Sequence, residues 1–326
     1  MKDQVVSGAP SSFPAHPYRK AAVIGAGSWG TALAVTMARA GCAVSIYGRD
    51  PEVIAEMNTK STTERFLPGV SLPGNLTGVT DMAQALEGAE AVLIVVPSRS
   101  VREVSRQVAE HVPAGIPIAV CAKGIEPDTG LLMTQVAEQE LNGHPIGCLS
   151  GPTFALETAL GHPTAATAAF PFSYGDRLKP HDSPAVRLAV SLSTESFRVY
   201  VSDDLVGVEI GGAVKNIIAI ACGLMTGAGF AENTRAALIT RGLDEMKALA
   251  EALGGRRETV TGLSGIGDLA LTCSSATSRN MALGQQLGEG LSRAQCFEGK
   301  PVVVEGELNA ISVTDLARSL KVAMPI

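Results

Sequence analysis

Aromatic residues are scarce in this sequence, at 4%, whereas glycine is abundant, with 35 residues in 326. This combination suits a tightly turned α/β structure better than a β-sandwich. The sequence also lacks any run of eighteen uninterrupted apolar residues, so we expect no membrane-spanning segment. Residues 1–19 contain no apolar stretch of the kind that signal peptides carry, and they are predicted to form a loose N-terminal tail.

Cysteines are few and scattered, without a Cys-x-x-Cys pair and without a nearby histidine at metal-ligand spacing. We therefore predict no disulfide and no metal site. Buried free thiols in a reducing compartment are the expected state, which favours a cytoplasmic protein. The six cysteines are Cys42, Cys121, Cys148, Cys222, Cys273 and Cys296.

An excess of positive charge is also missing, because the formal net charge is −6. The chain as a whole has no attraction for nucleic acid or for an anionic membrane surface. An anionic ligand must therefore be bound by a few well-placed cations and by helix N-termini.

The chain is long enough for two domains, and its pattern changes once. Up to residue 203, short apolar runs alternate with helical stretches, which predicts a Rossmann-like domain with a parallel, doubly wound α/β sheet over residues 20–203. Residues 204–326 have helical patterns only, and we predict an all-helical substrate domain. The predicted strands are residues 21–24, 43–47, 91–96, 118–121, 164–170 and 197–201, and the predicted helices of the second domain are residues 206–230, 235–253, 279–287 and 312–319.

The sequence of residues 25–30, Gly-Ala-Gly-Ser-Trp-Gly, matches the G-x-G-x-x-G pattern of dinucleotide-binding loops. The pattern alone is weak, but a strand precedes it and a helix follows. Gly25 would make the tight turn, Gly27 would let the backbone approach a pyrophosphate, and Gly30 would let the helix pack on the strand. A purely structural glycine turn is the competing interpretation.

The end of the second predicted strand bears on the choice of cofactor. Arg49 could bind a 2′-phosphate through bidentate hydrogen bonds, which favours NADP(H). Asp50 is one residue late for the usual ribose contact but leaves NAD(H) possible. Arg49 could also be a solvated loop cation.

Two lysines are candidates for chemistry. Lys123 follows a strand, at the end of the sheet where ligands bind in open α/β folds. Lys215 lies in an apolar helical segment, where a buried ammonium needs a partner or a shifted pKa and can then act as a general acid or base. A solvated loop lysine and a snorkelling lysine are the respective alternatives.

Two polar clusters accompany these lysines. Asp268 ends a glycine-rich turn, and we hypothesise that it pairs with the catalytic lysine and sets its charge. Ser278, Arg279 and Asn280 stand at a predicted helix start, where a helix N-terminus and an arginine would hold a phosphate. Helix capping is the alternative role for Asp268 and Ser278.

Six segments together resemble the NAD(P)-dependent glycerol-3-phosphate dehydrogenases of the bacterial biosynthetic type, in the order in which that family has them. They are Gly-Ala-Gly-Ser-Trp-Gly-Thr-Ala, Ala-Lys-Gly-Ile-Glu, Ser-Gly-Pro-Thr-Phe-Ala, Gly-Gly-Ala-Val-Lys-Asn-Ile, Gly-Leu-Ser-Gly-Ile-Gly-Asp-Leu and Ser-Arg-Asn. The resemblance implies reduction of dihydroxyacetone phosphate to sn-glycerol 3-phosphate for glycerophospholipid synthesis, and a homodimer by analogy.

The resemblance also implies site residues. Lys215 would exchange the proton at the C2 oxygen, with Asp268 beside it. The substrate would be surrounded by Lys123, Gly151, Thr153, Lys215, Asp268, Ser278, Arg279 and Asn280. The cofactor would contact Ser28, Trp29, Arg49, Lys123, Ala155, Arg279, Val303 and Glu305, besides the loop glycines Gly25, Gly27 and Gly30.

Two features depart from the family. Residues 171–185 have no familiar counterpart and are expected to form a surface loop, and the family usually continues beyond Ile326 with another helical segment. Two other functions compete. One is another two-domain dehydrogenase for a hydroxyacid or ketopantoate-like substrate, which has no evident need for a phosphate cluster. The other is a sensor that binds NADP without turnover, which has no need for a buried acid/base lysine.

Overall fold

The computed structural model describes residues 15–326, and within them eight strands form one sheet with helices on both faces. The strands are β1 (Lys20–Ile24), β2 (Ala43–Tyr47), β3 (Leu76–Val79), β4 (Ala91–Ile94), β5 (Ile118–Val120), β6 (Ile146–Ser150), β7 (Thr164–Ala169) and β8 (Phe197–Ser202).

The strand order is β3-β2-β1-β4-β5-β6-β7-β8. The chain reverses its direction of winding between β1 and β4, so the loops after these two strands border a crevice at the carboxyl end of the sheet. The predicted Rossmann-like doubly wound sheet is therefore confirmed. The expectation of parallel strands is wrong at one point, because β7 runs antiparallel to β6 while β8 pairs with β7 in parallel.

The helices of the first domain cover both faces of the sheet. They are α1 (Ser28–Arg39), α2 (Pro51–Lys60), α3 (Met82–Leu86), α4 (Val101–Ala109), α5 (Met133–Glu140), α6 (Ala155–Leu160), α7 (Tyr174–Leu178) and α8 (Pro184–Leu192). Helical segments follow the last strand: α9 (Leu205–Gly227), α10 (Glu232–Ala252), α11 (Arg257–Val260), a π-helical turn (Leu263–Gly267), α12 (Asp268–Ser274), α13 (Arg279–Gly288) and α14 (Glu305–Ser319). Short 3-10 turns cover Ser98–Ser100, Pro180–Asp182 and Cys296–Gly299.

Two strands escaped the sequence analysis, and both contain a glycine. A side chain at Gly147 of β6 would place its Cβ 2.4 Å from the carbonyl oxygen of Ala169 on β7. In β3, a Cβ at Gly78 would lie 3.3 Å from Ile54. These glycines are therefore required by close packing, although in sequence they look like turn residues.

Two predictions about irregular segments need correction. The predicted tail falls on residues 1–14, which lie outside the described residues, and on residues 15–19. Within the latter, Tyr18 is buried, and its amide donates to the Ser191 hydroxyl at 2.7 Å, so the tail prediction is wrong at its last residues. Residues 171–185 lie at the surface as expected, but they contain α7 and a 3-10 turn rather than a continuous loop.

The second domain is built around α9. This helix is long and apolar enough to cross a membrane by length and composition alone, but most of it is buried inside the protein. It packs directly on α13, and each helix contributes a pair of glycines spaced four apart. A Cβ at Gly223 would lie 2.1 Å from the Met281 carbonyl oxygen, and a Cβ at Gly284 would lie 2.0 Å from that of Ile220. The two backbones are in contact, as in small-xxx-small helix pairs.

The helical domain is also attached to the nucleotide-binding domain through α9. The Glu209 carboxylate is buried and accepts hydrogen bonds from the Thr134 amide, at 2.9 Å, and from the Thr134 hydroxyl at the start of α5. The first turn of α5 has no cap from its own Leu132 side chain, so α9 supplies the missing acceptor. Burial raises the pKa of Glu209 to about 7, against the opposing effect of these hydrogen bonds.

The contact between α9 and α13 predicts the effect of a methyl group. Gly223→Ala forces the two backbones apart and should lower the free energy of unfolding by about 2 to 3 kcal/mol, seen as a lower thermal midpoint. Gly74→Ala is the matched control, because a Cβ at that position meets nothing within 4 Å. It should change stability by less than about 0.5 kcal/mol. Equal midpoints for the two variants would contradict the proposed close contact.

Candidate functional site

The glycine loop after β1 has the geometry of a phosphate-binding turn. Gly25 has φ +123°, and a Cβ there would lie 2.2 Å from the Val95 carbonyl oxygen. A Cβ at Gly30 would lie 1.8 Å from the Gly25 carbonyl oxygen, so α1 can approach β1 only with glycine at this position. At Gly27 nothing lies within 4 Å of a Cβ position, which leaves room for a ligand against the backbone. The three glycines thus have three separate requirements, as in dinucleotide-binding loops.

The start of α1 lies beside this open space. Gly27 is the residue before the helix, and among the described residues no side chain caps its first turn. Ser28 and Trp29 form that turn, and Trp29 packs partly against the apolar core. Free amide groups at a helix start favour an anion, so the loop and α1 fit the pyrophosphate of NAD(P).

The residues after β2 place Arg49 and Asp50 next to this loop. The Gly25 amide donates to the Tyr47 carbonyl at 3.0 Å, so the end of β2 borders the turn. Arg49 is exposed and makes no ion pair within residues 15–326. Asp50 does not face a ribose position freely, because its carboxylate caps α2 and pairs with Arg65. Asp50 is therefore less suited to bind the ribose hydroxyls of NAD than it looked from sequence.

A buried ion cluster joins the two domains at the carboxyl end of the sheet. Lys123, three residues beyond the end of β5, donates from Nζ to Asp268 Oδ2 at 2.5 Å. Lys215, in the middle of α9, donates from Nζ to Asp268 Oδ1 at 2.9 Å. Asp268, at the start of α12, is 2% exposed and Lys215 is 7% exposed. Neither lysine is therefore a solvated or snorkelling side chain, and Asp268 does not act as a helix cap.

The protonation equilibria of this cluster are shifted by burial and by charge. Burial lowers the pKa of Lys215, and the second ammonium, on Lys123, lowers it too, while Asp268 opposes both. For Asp268, burial alone would raise the pKa, but the two lysines outweigh it and hold the pKa below its usual range. One carboxylate thus faces two ammonium groups, and the Glu305 carboxyl group is a further acidic neighbour of both lysines.

The predicted phosphate cluster lies at the start of α13. Ser278 is buried and accepts a hydrogen bond from the Met281 amide, so it caps the helix. Arg279, the first residue of α13, is exposed and donates to the Val303 carbonyl at 3.1 Å. Asn280 accepts from the Gly306 amide at 3.0 Å and donates to Asn216 at 2.9 Å. The structure thus brings Arg279 and Val303 into contact, while Ser278 and Asn280 make hydrogen bonds that hold the start of α13.

Three of the remaining predicted residues, Gly151, Thr153 and Glu305, lie near the ion cluster. The Gly151 carbonyl accepts hydrogen bonds from Lys123 Nζ at 3.4 Å and from the Thr153 hydroxyl at 3.3 Å, which places both beside the ion cluster. Glu305 begins α14, and burial raises the pKa of its carboxyl group against the opposing charges of Lys123 and Arg279. Ala155 begins α6, further along the chain from the ion cluster.

Arg49 stands apart from the lysines. β1 and β4 lie between β2 and β5 in the sheet. Arg49, after β2, is therefore separated from Lys123, after β5, by three strand spacings, roughly 14 Å. The crevice therefore offers one subsite beside Arg49 and another at the ion cluster, with the glycine loop between them. An extended dinucleotide fits this arrangement.

Three polar residues at the site were not assigned a role from sequence. Thr272, one turn after Asp268 on α12, accepts a hydrogen bond from Lys215 Nζ at 2.7 Å. Asn216 is buried, and its Nδ2 has no hydrogen-bond partner among the described residues. Asn309 of α14 donates to the Ala213 carbonyl at 3.1 Å. The four-residue spacing from Asp268 to Thr272 is a signal that could have revealed Thr272.

All six cysteines lie within residues 15–326. The six cysteine side chains are buried free thiols. In the part of the chain that the structure describes, no group of three histidine, cysteine or acidic residues is arranged to hold a metal ion.

Comparison with known proteins identifies the family. Residues 20–173 match the family described as NAD-dependent glycerol-3-phosphate dehydrogenase N-terminus, and residues 204–326 match the corresponding C-terminus. A glycerol-3-phosphate dehydrogenase (NAD(P)+) from Rhodospirillum rubrum is 47% identical over 305 residues, which cover 94% of this chain and 85% of that protein.

Solved structures agree with the sequence comparison. The crystal structure of glycerol-3-phosphate dehydrogenase from Coxiella burnetii is 39% identical, with a TM-score of 0.85 over 94% of this chain and 91% of that chain. A glycerol-3-phosphate dehydrogenase from Saccharomyces cerevisiae is 25% identical, with a TM-score of 0.83 over 94% and 92% of the two chains. The chain therefore belongs to the NAD-dependent glycerol-3-phosphate dehydrogenase family.

Proposed function

We propose that this chain is an NAD(P)-dependent sn-glycerol-3-phosphate dehydrogenase that reduces dihydroxyacetone phosphate, with Lys215 as the proton donor to the C2 oxygen. The observation that carries this proposal is the buried carboxylate of Asp268 between the ammonium groups of Lys123 and Lys215. The names of the relatives support the substrate and the cofactor class.

The chemistry follows from what ketone reduction requires. The nicotinamide, when bound, supplies the hydride. The protein must hold the substrate in place and give a proton to the oxygen that becomes an alkoxide. A Lys215 ammonium with a lowered pKa gives up its proton more readily than an ordinary lysine does. Asp268 and Thr272 fix the position of its Nζ, since both bind that nitrogen directly.

The substrate phosphate needs cations and free amide groups. Arg279 is exposed at the start of α13, where the helix dipole also favours an anion. Lys123 adds a second positive charge, and its Nζ is tied to the Gly151 backbone. In this proposal Arg279 and Lys123 select a phosphorylated three-carbon substrate. Ser278 and Asn280 hold the start of α13 in place, as their hydrogen bonds indicate.

A hydroxyacid or ketopantoate-type dehydrogenase is the second candidate. A ketopantoate reductase from Ralstonia eutropha JMP134 is 17% identical with a TM-score of 0.54, a likeness of fold alone. Turnover of phosphate-free ketoacids in preference to the triose phosphate would favour this candidate.

We further propose that the enzyme works in the cytoplasm as a homodimer and that its product supplies glycerophospholipid synthesis, by analogy with the family.

The role of Lys215 is tested by replacing it with a neutral side chain of similar length. Lys215→Met should lower kcat for dihydroxyacetone phosphate reduction by about 10²- to 10⁴-fold, because the general acid is lost. Turnover is followed as loss of NADPH absorbance, and NADPH binding, measured by its fluorescence, should survive. Lys300→Met, at an exposed lysine, is the matched control. Retention of wild-type kcat in Lys215→Met would refute the acid role.

The charges around Lys215 predict opposite pH shifts for two variants. Reduction requires the protonated amine, so the rate falls as the pH rises through the pKa of Lys215. Asp268→Asn removes the charge that raises this pKa, and the alkaline limb of the rate profile should move to lower pH. Lys123→Met removes a charge that lowers it, and the limb should move to higher pH.

The two pH profiles are measured as kcat against pH with saturating substrate and cofactor. Because kcat reports the bound enzyme, weaker substrate binding in either variant does not imitate a shift. If both limbs stay at the wild-type position, Asp268 does not set the charge of the lysine and that part of the proposal fails.

A further inference from the structure

A second arginine, Arg65, lies in the turn after α2 and contacts Asp50 near the end of β2. We propose that Arg65, anchored by Asp50, is a second cation for the phosphate on the 2′-oxygen of NADP, and that the site therefore selects NADP over NAD. This rests on the proposed function only in that the chain binds a nicotinamide dinucleotide.

The position follows from the packing of β2 against the glycine loop. A Cβ at Gly48 would lie 2.7 Å from the Ala26 side chain, so the chain at the end of β2 touches the phosphate-binding turn. In Rossmann-type domains this is where the adenosine ribose is bound. A group held beside Asp50 thus faces the ribose end of the crevice.

Both carboxylate oxygens of Asp50 already accept hydrogen bonds within the protein. Its Oδ1 accepts hydrogen bonds from the Glu52 amide at 3.0 Å and from the Val53 amide at 3.4 Å, which caps α2. Its Oδ2 accepts from Arg65 at 3.0 Å. These bonds leave fewer lone pairs of the carboxylate for the two ribose hydroxyls of NAD. Its remaining effect is to hold a guanidinium at the end of β2.

Arg65 is positioned by a tight turn. The amides of Phe66 and Leu67 donate to the Thr63 carbonyl at 3.0 and 2.8 Å, and Leu67 is fully buried. The guanidinium also lies 5.4 Å from the centre of the Phe66 ring, which packs partly against the core. Within residues 15–326 only Nη1 of Arg65 makes a hydrogen bond, so its Nε and Nη2 edge remains available to a phosphate.

Two arginines near the end of β2 can serve a dianion. Arg49 is exposed and next to Asp50 in the chain, and Arg65 pairs with the Asp50 carboxylate. Two guanidinium groups would attract a 2′-phosphate, whereas a ribose with a free 2′-hydroxyl gains little from them. The arrangement therefore discriminates between the two cofactors at the adenosine end and leaves the reacting end unchanged.

The test compares two probes that differ in the 2′-phosphate. Adenosine 2′,5′-bisphosphate and 5′-AMP are titrated calorimetrically into the full chain. Arg65→Gln should weaken binding of the bisphosphate about three- to tenfold, because a charge-assisted hydrogen bond is lost at a partly exposed site, and should change 5′-AMP binding less than twofold. Arg318→Gln, at an exposed arginine on α14, is the matched control. Equal weakening of both probes, or of neither, would overturn the proposal.

Asp50→Asn tests the anchoring role separately. Asparagine still caps α2, so the helix start should be preserved. If Asp50 only anchors Arg65, 5′-AMP binding and the kcat/KM for NADH should stay within twofold of wild type. A tenfold loss in both would show that Asp50 binds the ribose and would overturn the proposal. Absence of turnover with dihydroxyacetone phosphate, combined with the predicted binding pattern, would defeat the proposed function and leave this inference standing.

Discussion

The structure depends on one buried carboxylate that is shared by two ammonium groups. Asp268 neutralises only one of the two charges brought to it by Lys123 and Lys215, and these come from different domains. Burying three charged groups costs a great deal unless their geometry is held closely. The rest of the fold supplies that geometry: a strand end places Lys123, a buried helix places Lys215, and a π-helical turn places Asp268.

Close backbone contact explains how the helices can hold these groups so tightly. Where α9 meets the π-helical turn, a Cβ at Gly211 would lie 2.6 Å from the Ser264 carbonyl oxygen. Within the turn, a Cβ at Gly265 would lie 1.8 Å from the Val260 carbonyl oxygen. The turn that leads into Asp268 therefore rests directly on the helix that carries Lys215. Backbone contact therefore sets how closely the two elements that carry Lys215 and Asp268 approach each other.

Much of this was accessible from sequence. The glycine loop has one glycine for each of three tasks, and the change from mixed to helical patterns falls between β8 and α9. The cost of burying an ammonium alone led to the hypothesis that Lys215 has an acidic partner, with Asp268 as the candidate. The sequence could not show that Lys123 approaches the same carboxylate, since 145 residues separate them. Nor could it show that Arg65 pairs with Asp50, because that contact forms only when the turn after α2 folds back toward the end of β2.

The helix α9 also links the ion cluster to the nucleotide-binding domain. Glu209, which holds the start of α5, and Lys215, which holds Asp268, lie six residues apart on the same helix, about 9 Å along its axis. A helix moves as a rigid rod over this distance. Any sliding of α9 that displaced Lys215 would also move the Glu209 carboxylate away from the Thr134 amide of α5. The position of Lys215 relative to the sheet is thus tied to the contact between α9 and α5, in addition to the ion pair of Lys123 with Asp268.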